Sequence, residues 1–471
     1  VKKTFLLFLI IILAAILRVY KITENPPSLY WDEVAIGYNA YSINQTGKDE
    51  WGISWPTLFR SYDDYKPPVY IYTVALFQKV MGPTDLSVRL PSAIAGILTV
   101  IFIYFLTKEL FGTPHYSLLA ALLLSTSMWH IQFSRAGFEA NLALMFVVLA
   151  VWLFLMAIRE NIKLLFLSLL SFILSVASYA NAKLFVPPFL LILMVLNAET
   201  LKKNFKQVLM IFAISAIFFI PVLPIYFSKE GNLRAASESI LTQEGNLWVN
   251  FQKNYLGNFS FDYLFFHGDQ AGRHSVKKLG ELYLWQLPFF LIGAYQLIRE
   301  KNKFSLLIFA WLLLAALPPA LTKVSPHALR GLLMVIPLQI IIAVGLLRFW
   351  KLAIPFALFS LLLYLHIYYV HYPKAYSADW QDGFEATISY LKTVVNDYDD
   401  IYIHESIPEE YLKWYRFSGY SYYNLANMPV RKNPDKKVLI VAPPYMVSKD
   451  TNVKKEIRMY GGDAVFKIYE L

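Results

Sequence analysis

Carboxylates and cations recur at the edges of apolar stretches in this chain, in types that suit acid–base chemistry on a charged substrate. Asp32 and Glu33 are adjacent in "YWDEVAIGYNA", shortly after a hydrophobic run that ends near Tyr20. Glu139 stands in "FSRAGFEANLAL", at i+4 from Arg135. Lys66 precedes a double proline in "YKPPVY", Lys183 sits in "SYANAKLFVPP", and His327 and Arg330 share "SPHALRG". A carboxylate in such a set can take a proton from an incoming hydroxyl as a general base, which makes Asp32, Glu33 and Glu139 the catalytic candidates. Lys66, Lys183 and Arg330 can neutralise phosphate oxygens, the arginine engaging two at once. Tyr30, Trp31 and Tyr38 each carry an apolar ring face beside a polar edge or tip and suit a sugar or headgroup held at an interface. Arg135 and His327 are further candidates for substrate contact.

The elements that must position these residues are membrane helices. Of the 471 residues, 57% are hydrophobic and only 16% charged, against about a quarter charged in a soluble domain. A bilayer core of about 30 Å needs about 20 apolar residues per helix, and about eleven stretches approach that length. The first covers residues 4–20 and the last 352–370. The first reads as a retained anchor, because no small-residue cleavage pattern follows it. Residues 69–81 form a shorter apolar stretch after Pro67–Pro68. Leaving that stretch out of the count puts Lys2, Lys108, Arg159, Lys202, Arg299 and Arg348 on one side, the cytoplasm by the positive-inside rule. Counting it would split them, so residues 69–81 are expected along the outer surface as an amphipathic helix.

Three segments then share the outer face: 21–91, 231–281 and everything after 371. The last of these, 372–471, alternates strand-like "DIYIHES", "KKVLIVAPP" and "DAVFKIYEL" with helical "DGFEATISYLKTVV" and "PEEYLKWYRF". That pattern predicts a small α/β domain outside the membrane. The expected fold is therefore an α-helical polytopic membrane protein, with a transmembrane catalytic domain over 1–371 and an α/β domain over 372–471. Every candidate residue above falls on the outer rim. Ionisable groups at membrane depth are costly and mark sites or pathways, and this mixture of acids and cations implies a phosphate attached to a lipid.

Composition also excludes chemistry. With no cysteine, disulfides, thiol catalysis and thiolate metal sites are ruled out. The net charge of +10 sits in short clusters between apolar runs, as orientation signals do, and not on one face as nucleic acid would require. The C-terminal segment has no glycine-rich phosphate loop. Several candidates have plainer readings. Asp32 and Glu33 could be a solvated loop pair, Arg135 and Glu139 could pair with each other, and Lys183 could extend from a helix end to the interface. His267 and His274 occur in "FFHGDQAGRHS", where Asp269 could join them, but the spacing matches no standard zinc motif, and no metal ligands are assigned.

Taken in order, "YWDEVAIGYNAYSINQTGKDEW", "YKPPVYIY", "DLSVRLPSAIAGILTVIFIYFLTKELFG", "FSRAGFEANLAL" and "SYANAKLFVPP" resemble the GT-C membrane glycosyltransferases of the protein O-mannosyltransferase and lipid A aminoarabinose transferase type, glycosyltransferase family 39. The likeness covers the segment up to "SYANAKLFVPP", and more loosely the later spans through "SPHALRGLLMVIP". It implies transfer of a sugar from a polyprenyl-phosphate-linked donor to a hydroxyl of a protein, lipid A or a surface glycan, with inversion, at the outer face of the plasma (inner) membrane. Asp32 matches the family's catalytic carboxylate, with Glu33 beside it. Lys66 matches the lysine that contacts the donor phosphate, although Val69 replaces the family's leucine. Glu139 stands where many relatives carry aspartate, Lys183 matches the lysine between the fifth and sixth spans, and His327 and Arg330 fit a late-span pattern approximately.

The implied partners are the lipid donor, membrane lipids and a glycan, lipid or protein acceptor, without nucleic acid. No cofactor is required by a monophosphate leaving group surrounded by cations. A divalent metal enters if Asp32, Glu33 and Glu139 converge. Two other readings stay open. One is an oligosaccharide transferase using a lipid diphosphate and a metal held by carboxylates. The other is a transporter or flippase for lipid-linked sugars, which would place charges near the midplane on broken, internally repeated helices.

Overall fold

The computed structural model describes residues 2–62, 64–417, 419–428 and 436–471. Each apolar stretch expected to span is helical. Among the described residues five helices are long and apolar enough to cross a bilayer: Asp85–Phe111, Glu139–Arg159, Phe205–Phe227, Lys303–Ala320 and Trp350–Ala375. Shorter apolar helices at Pro114–Ser125, Leu164–Ser178, Ala182–Leu196 and Leu332–Leu346 accompany them. Phe205–Phe227 and Trp350–Ala375 are only 28% and 17% buried over their apolar windows. Helices this apolar and this exposed must face lipid, so the chain is a multipass membrane protein.

In chain order the elements that build the site are α1 (Lys2–Val19), α2 (Trp31–Thr46), a hairpin of β1 (Phe59–Ser61) and β2 (Asp64–Lys66), α3 (Pro68–Met81), α4 (Asp85–Phe111), α5 (Pro114–Ser125), α6 (Met128–Ser134), α7 (Glu139–Arg159), α8 (Leu164–Ser178) and α9 (Ala182–Leu196). Thr84 and Ser87 cap the start of α4 reciprocally, and Gly112 ends it at φ 68°, a conformation that costs glycine little. The apolar helix α7 lies between α4 and α8 and buries residues all round its surface. Residues 69–81 lie in α3, whose fixed-φ Pro68 suits the first turn. This helix buries Tyr70, Ile71, Val74 and Ala75 while exposing Leu76 and Val80, an amphipathic pattern. Farther along, the helices Leu287–Glu300 and Val335–Leu346 meet at Gly293 and Gly345, where a side chain would collide with the carbonyls of Ile341 and Phe289. Small residues permit such close helix approach in membranes.

The C-terminal segment forms a five-stranded sheet of order β4-β3-β5-β7-β6. Its strands are β3 (Asp400–Ile403), β4 (Tyr423–Asn424), β5 (Val438–Ala442), β6 (Val453–Arg458) and β7 (Ala464–Glu470). β3 runs parallel to β4 and β5, and β7 closes the sheet antiparallel to β5 and β6. The wholly buried sequence VLIVA of β5 is what a strand covered on both faces requires. The helix Glu409–Trp414 carries this sheet onto α2. Tyr411 donates its hydroxyl to the Leu29 carbonyl at 3.0 Å, and Trp414 packs so closely on Gly37 that a Cβ there would lie 2.9 Å from its ring. One hydrophobic core therefore runs from Val34 and Ile71 to Leu391 and Leu439.

Candidate active site

The first turn of α2 holds both acids where the helix dipole favours negative charge. Successive side chains on a helix diverge by about 100°, and the two acids go to different places. Glu33 is fully buried. Its Oε1 accepts from Arg89 Nε at 2.9 Å and from the Gly137 amide at 2.7 Å, and its Oε2 accepts from Arg89 Nη2 at 3.0 Å and from the Tyr30 amide at 3.2 Å. Arg89 Nη1 also donates to the carbonyls of Ile22 and Pro26 at 2.9 and 2.8 Å. One ion pair thus ties together α4, the chain entering α2 and the turn before α7. It fixes the backbone on which both Asp32 and Glu139 stand.

Asp32 is 23% exposed and lies on the other side of its helix, against Lys66. The ammonium of Lys66 sits 3.1 Å from Asp32 Oδ1 and 3.2 Å from Glu139 Oε1. Three elements supply the triad: the start of α2, the end of β2 and the first residue of α7. Burial by itself would raise the Asp32 carboxyl pKa, but the charges of Lys66 and Arg234 outweigh it and hold the group below its ordinary value. Burial likewise works against the Lys66 ammonium, and the two carboxylates overcome it and raise its pKa. Asp32 and Lys66 therefore face each other as an ion pair at neutral pH.

The triad opens onto a cavity of about 680 Å³ whose wall carries five cationic and four acidic side chains. Arg234, from the helix Lys229–Ser237, pairs with Asp64 at 2.9 Å. Arg330 Nη2 lies 3.4 Å from Glu238, while its Nη1 is buried with no hydrogen-bond partner among the described residues. Arg273 stacks over Tyr30 and Trp31, at 5.3 and 5.9 Å from the ring centres, and donates to the Asp379 carbonyl at 3.2 Å. Lys183 donates to the carbonyls of Ile225 and Gly231 and to Asn232 Oδ1, at 3.1, 3.0 and 2.7 Å, so it anchors the segment that carries Arg234. Elsewhere the wall is apolar, with Leu184, Leu241, Trp248, Phe251 and Leu321.

Asp32, Lys66, Glu139, Lys183, Arg330, Tyr30 and His327 thus share one cavity. Four expected site residues, Glu33, Arg135, Tyr38 and Trp31, do not line it. Glu33 is consumed by Arg89, as above. Arg135 does not pair with Glu139; its guanidinium is fully buried and bonds the carbonyls of Leu17, Lys21 and Asn25 and the hydroxyl of Tyr368, which holds it away from the cavity. Tyr38 packs beside Tyr41 and under Lys413 of the C-terminal unit. Trp31 is 43% exposed beside the mouth, its amide donating to Gln381 Oε1 at 3.3 Å. The three acids do not converge as a metal site: Asp32 and Glu139 meet on an ammonium and Glu33 turns away. His267 pairs with Asp262, whereas His274 lies with Asp269 and His327. Arg234 and Arg273 escaped the sequence reading. Their only signal was that each is a basic residue in the segment 231–281, expected on the outer face.

Comparison with known proteins agrees with this architecture. Residues 65–225 match the family described as dolichyl-phosphate-mannose-protein mannosyltransferase. ArnT from Cupriavidus metallidurans, solved in the apo state, superposes with a TM-score of 0.59 at 11% identity, covering 99% of this chain and 97% of ArnT. The chain has the GT-C glycosyltransferase fold. The same fold relates it to the Archaeoglobus fulgidus oligosaccharyltransferase solved with Zn and sulfate, at a TM-score of 0.55 and 13% identity, over 89% of this chain and 62% of that one. In sequence, YkcB of Bacillus subtilis (strain 168), which carries the provisional name mannosyltransferase, is 29% identical over 154 residues. That stretch is 32% of this chain and 21% of YkcB. The matched family segment of this GT-C chain begins at the residue before Lys66 and includes Glu139 and Lys183.

Proposed function

We propose that this GT-C protein transfers a sugar from a polyprenyl-phosphate donor to an acceptor hydroxyl at the outer face of the plasma (inner) membrane, inverting the anomeric carbon. The observation that carries this reading is the Lys66 ammonium bridging Asp32 and Glu139 on a cavity lined by both cationic and apolar side chains. A phosphate suits the cations and a prenyl chain suits Leu184, Trp248 and Phe251. ArnT has been solved with undecaprenyl phosphate and the Archaeoglobus fulgidus enzyme AglB with a dolichol-phosphate, which supports a lipid phosphate as the donor class.

Lys66 shares one positive charge between two acids, so an arriving phosphate competes for it. As the ammonium turns to a phosphate oxygen, Asp32 loses its nearest counter-charge and becomes a stronger base. Donor binding in this way prepares the acceptor side. The acceptor oxygen then attacks the anomeric carbon as its proton passes to Asp32, and the bond from that carbon to the phosphate oxygen breaks. The lipid phosphate departs with its charge met by Lys66 and by the unpartnered Nη1 of Arg330. Preorganised charge of this kind usually contributes more to catalysis than any other single effect. Glu139 holds Lys66 from behind, and Glu33 with Arg89 keeps both acids in place. Because an ammonium already stands between the carboxylates, the site favours a monophosphate donor over a lipid diphosphate that needs a metal there. The C-terminal unit reaches the mouth through Gln381 and Asp379, a position from which it would select acceptors.

The test is transfer of radiolabelled sugar from a panel of polyprenyl-phosphate donors to crude membrane acceptors by purified wild type and Asp32→Asn. Transfer by the wild type and its loss in the variant is expected. Equal transfer by both would remove Asp32 as the base, and no transfer by the wild type from any donor would overturn the transferase reading.

A further inference from the structure

Beside the catalytic triad, two loops far apart in sequence bring Asp269, His274 and His327 together, with one ligand atom from each lying within 4.8 Å of the others. We propose that these three residues form a divalent-metal site of the zinc class in the cavity wall. Asp269 Oδ2 lies 3.1 Å from His274 Nδ1 and 3.8 Å from His327 Nδ1. Ligands on a tetrahedral zinc with bonds of about 2.0–2.1 Å stand about 3.3 Å apart, so both separations are close to what a shared ion sets. The shorter contact is a hydrogen bond, but the longer one is not. His327 is therefore held near Asp269 without bonding to it, its Nδ1 taking only a long contact from the Arg330 amide at 3.4 Å.

The carboxylate is itself oriented, as ligating carboxylates are. Asp269 Oδ1 accepts from the Ala271 amide at 2.8 Å and Oδ2 from the Ala328 amide at 2.7 Å. The Asp269 amide in turn donates to buried Glu281 at 2.9 Å. Asp269 and His274 are buried, and His327 is 12% exposed. Both histidines border the cavity, which gives the ion an entry path and an open fourth position. By contrast, the space between Asp32 and Glu139 already holds an ammonium. On binding, the metal takes the place of the proton between His274 Nδ1 and Asp269 Oδ2, and the neutral imidazole carries its single proton on Nε2 instead.

Whether the fourth position receives water or a donor phosphate oxygen rests on the function proposed above; metal binding itself does not. The experiment uses the whole purified chain, stripped with a chelator and titrated with Zn²⁺ against a chromophoric competitor, then with Co²⁺ followed by visible absorption. One equivalent bound and a four-coordinate cobalt spectrum are expected. His274→Ala and His327→Ala should each lose that equivalent, while Asp32→Asn should keep it. A wild type that binds no ion overturns the proposal whatever the variants do, as does a wild-type equivalent retained by both histidine variants. Neither result bears on whether sugar transfer occurs, so the two readings fail separately.

Discussion

Replacing Lys66 with methionine keeps the side-chain length and removes the charge that two carboxylates share. Each carboxylate oxygen lies 3.1–3.2 Å from the ammonium, which at an effective dielectric of about 20 corresponds to roughly 5 kcal/mol of gross attraction per pair. Desolvation of a nearly buried ammonium offsets much of this, and breaking such a buried arrangement costs about 3–5 kcal/mol net. Two consequences can be separated. Loss of a charge-assisted contact to the donor phosphate, about 1.5–3 kcal/mol, should raise the donor KM by roughly 10- to 100-fold. The second consequence is electrostatic. Asp32 and Glu139 both touch the same nitrogen, so their oxygens lie no more than about 6 Å apart, where repulsion between two charges is about 3 kcal/mol or about two pH units.

The sign follows from the native shifts. Asp32 has a folded pKa below its unfolded value. Its contribution to stability is present above the unfolded pKa of about 3.9 and is lost as the pH falls through the folded one. In Lys66→Met that opposite charge is gone, and repulsion from the neighbouring carboxylate should raise the Asp32 pKa instead of lowering it. Initial rates of sugar transfer between about pH 5 and about pH 8 should be flat on the acid side for wild type and fall toward acid pH for the variant. Lys66→Met with Glu139→Gln removes the repulsion and should abolish that acid limb without restoring the donor KM. A Lys66→Met enzyme with wild-type donor KM and no acid limb would refute the shared-charge reasoning.

Arg89→Leu leaves the Glu33 carboxylate buried and unpaired and should destabilise the protein by about 3–5 kcal/mol; thermal unfolding in detergent reads this, and adding Glu33→Gln should recover much of it. Arg330→Gln removes a guanidinium with a free buried nitrogen and should raise the donor KM about tenfold or more with a smaller change in kcat, as steady-state kinetics with varied donor would show. Phe251→Ala together with Trp248→Ala should weaken use of long-chain prenyl donors about tenfold or more while leaving short-chain analogues unchanged, measured as the ratio of their kcat/KM values.

Much of this arrangement was legible because membrane sequences carry few charges, and each one has to be explained. Lys66 ends β2 just before a double proline, and Glu139 opens α7; each is a charged residue at the edge of an apolar run. The helix over 69–81 was readable as a short apolar run after a double proline, and it is the body of α3. The C-terminal strands at 400–403, 438–442 and 464–470 stood out as short apolar runs. The weaker strand Val453–Arg458 did not, since its sequence VKKEIR is largely exposed at the sheet edge, where charged residues are usual. Arg234 and Arg273 were illegible for another reason. Their partners, Asp64 for one and the Tyr30 and Trp31 rings for the other, lie far away in sequence, and no local pattern links them.

The pair Asp32–Glu33 shows where sequence reading runs out in a way that physics explains. Side by side in sequence, the two acids look like one catalytic unit. Once the segment is helical they point about 100° apart, and only one can face a given cavity. Which one does is decided by Arg89, dozens of residues later in α4, because it offers a bidentate partner to whichever acid turns inward. Glu33 takes that partner, and the geometry that buries it leaves Asp32 beside Lys66. Exchanging the two residues, Asp32→Glu with Glu33→Asp, preserves composition and charge but shortens the buried arm by one methylene. The shorter arm cannot reach Arg89, the Gly137 amide and the Tyr30 amide together, so the exchange should cost stability through lost buried hydrogen bonds, about 1–3 kcal/mol each. Thermal unfolding of the exchange variant beside Asp32→Glu alone separates the two positions. Equal unfolding temperatures for the two proteins would show that Glu33 does not hold the site together.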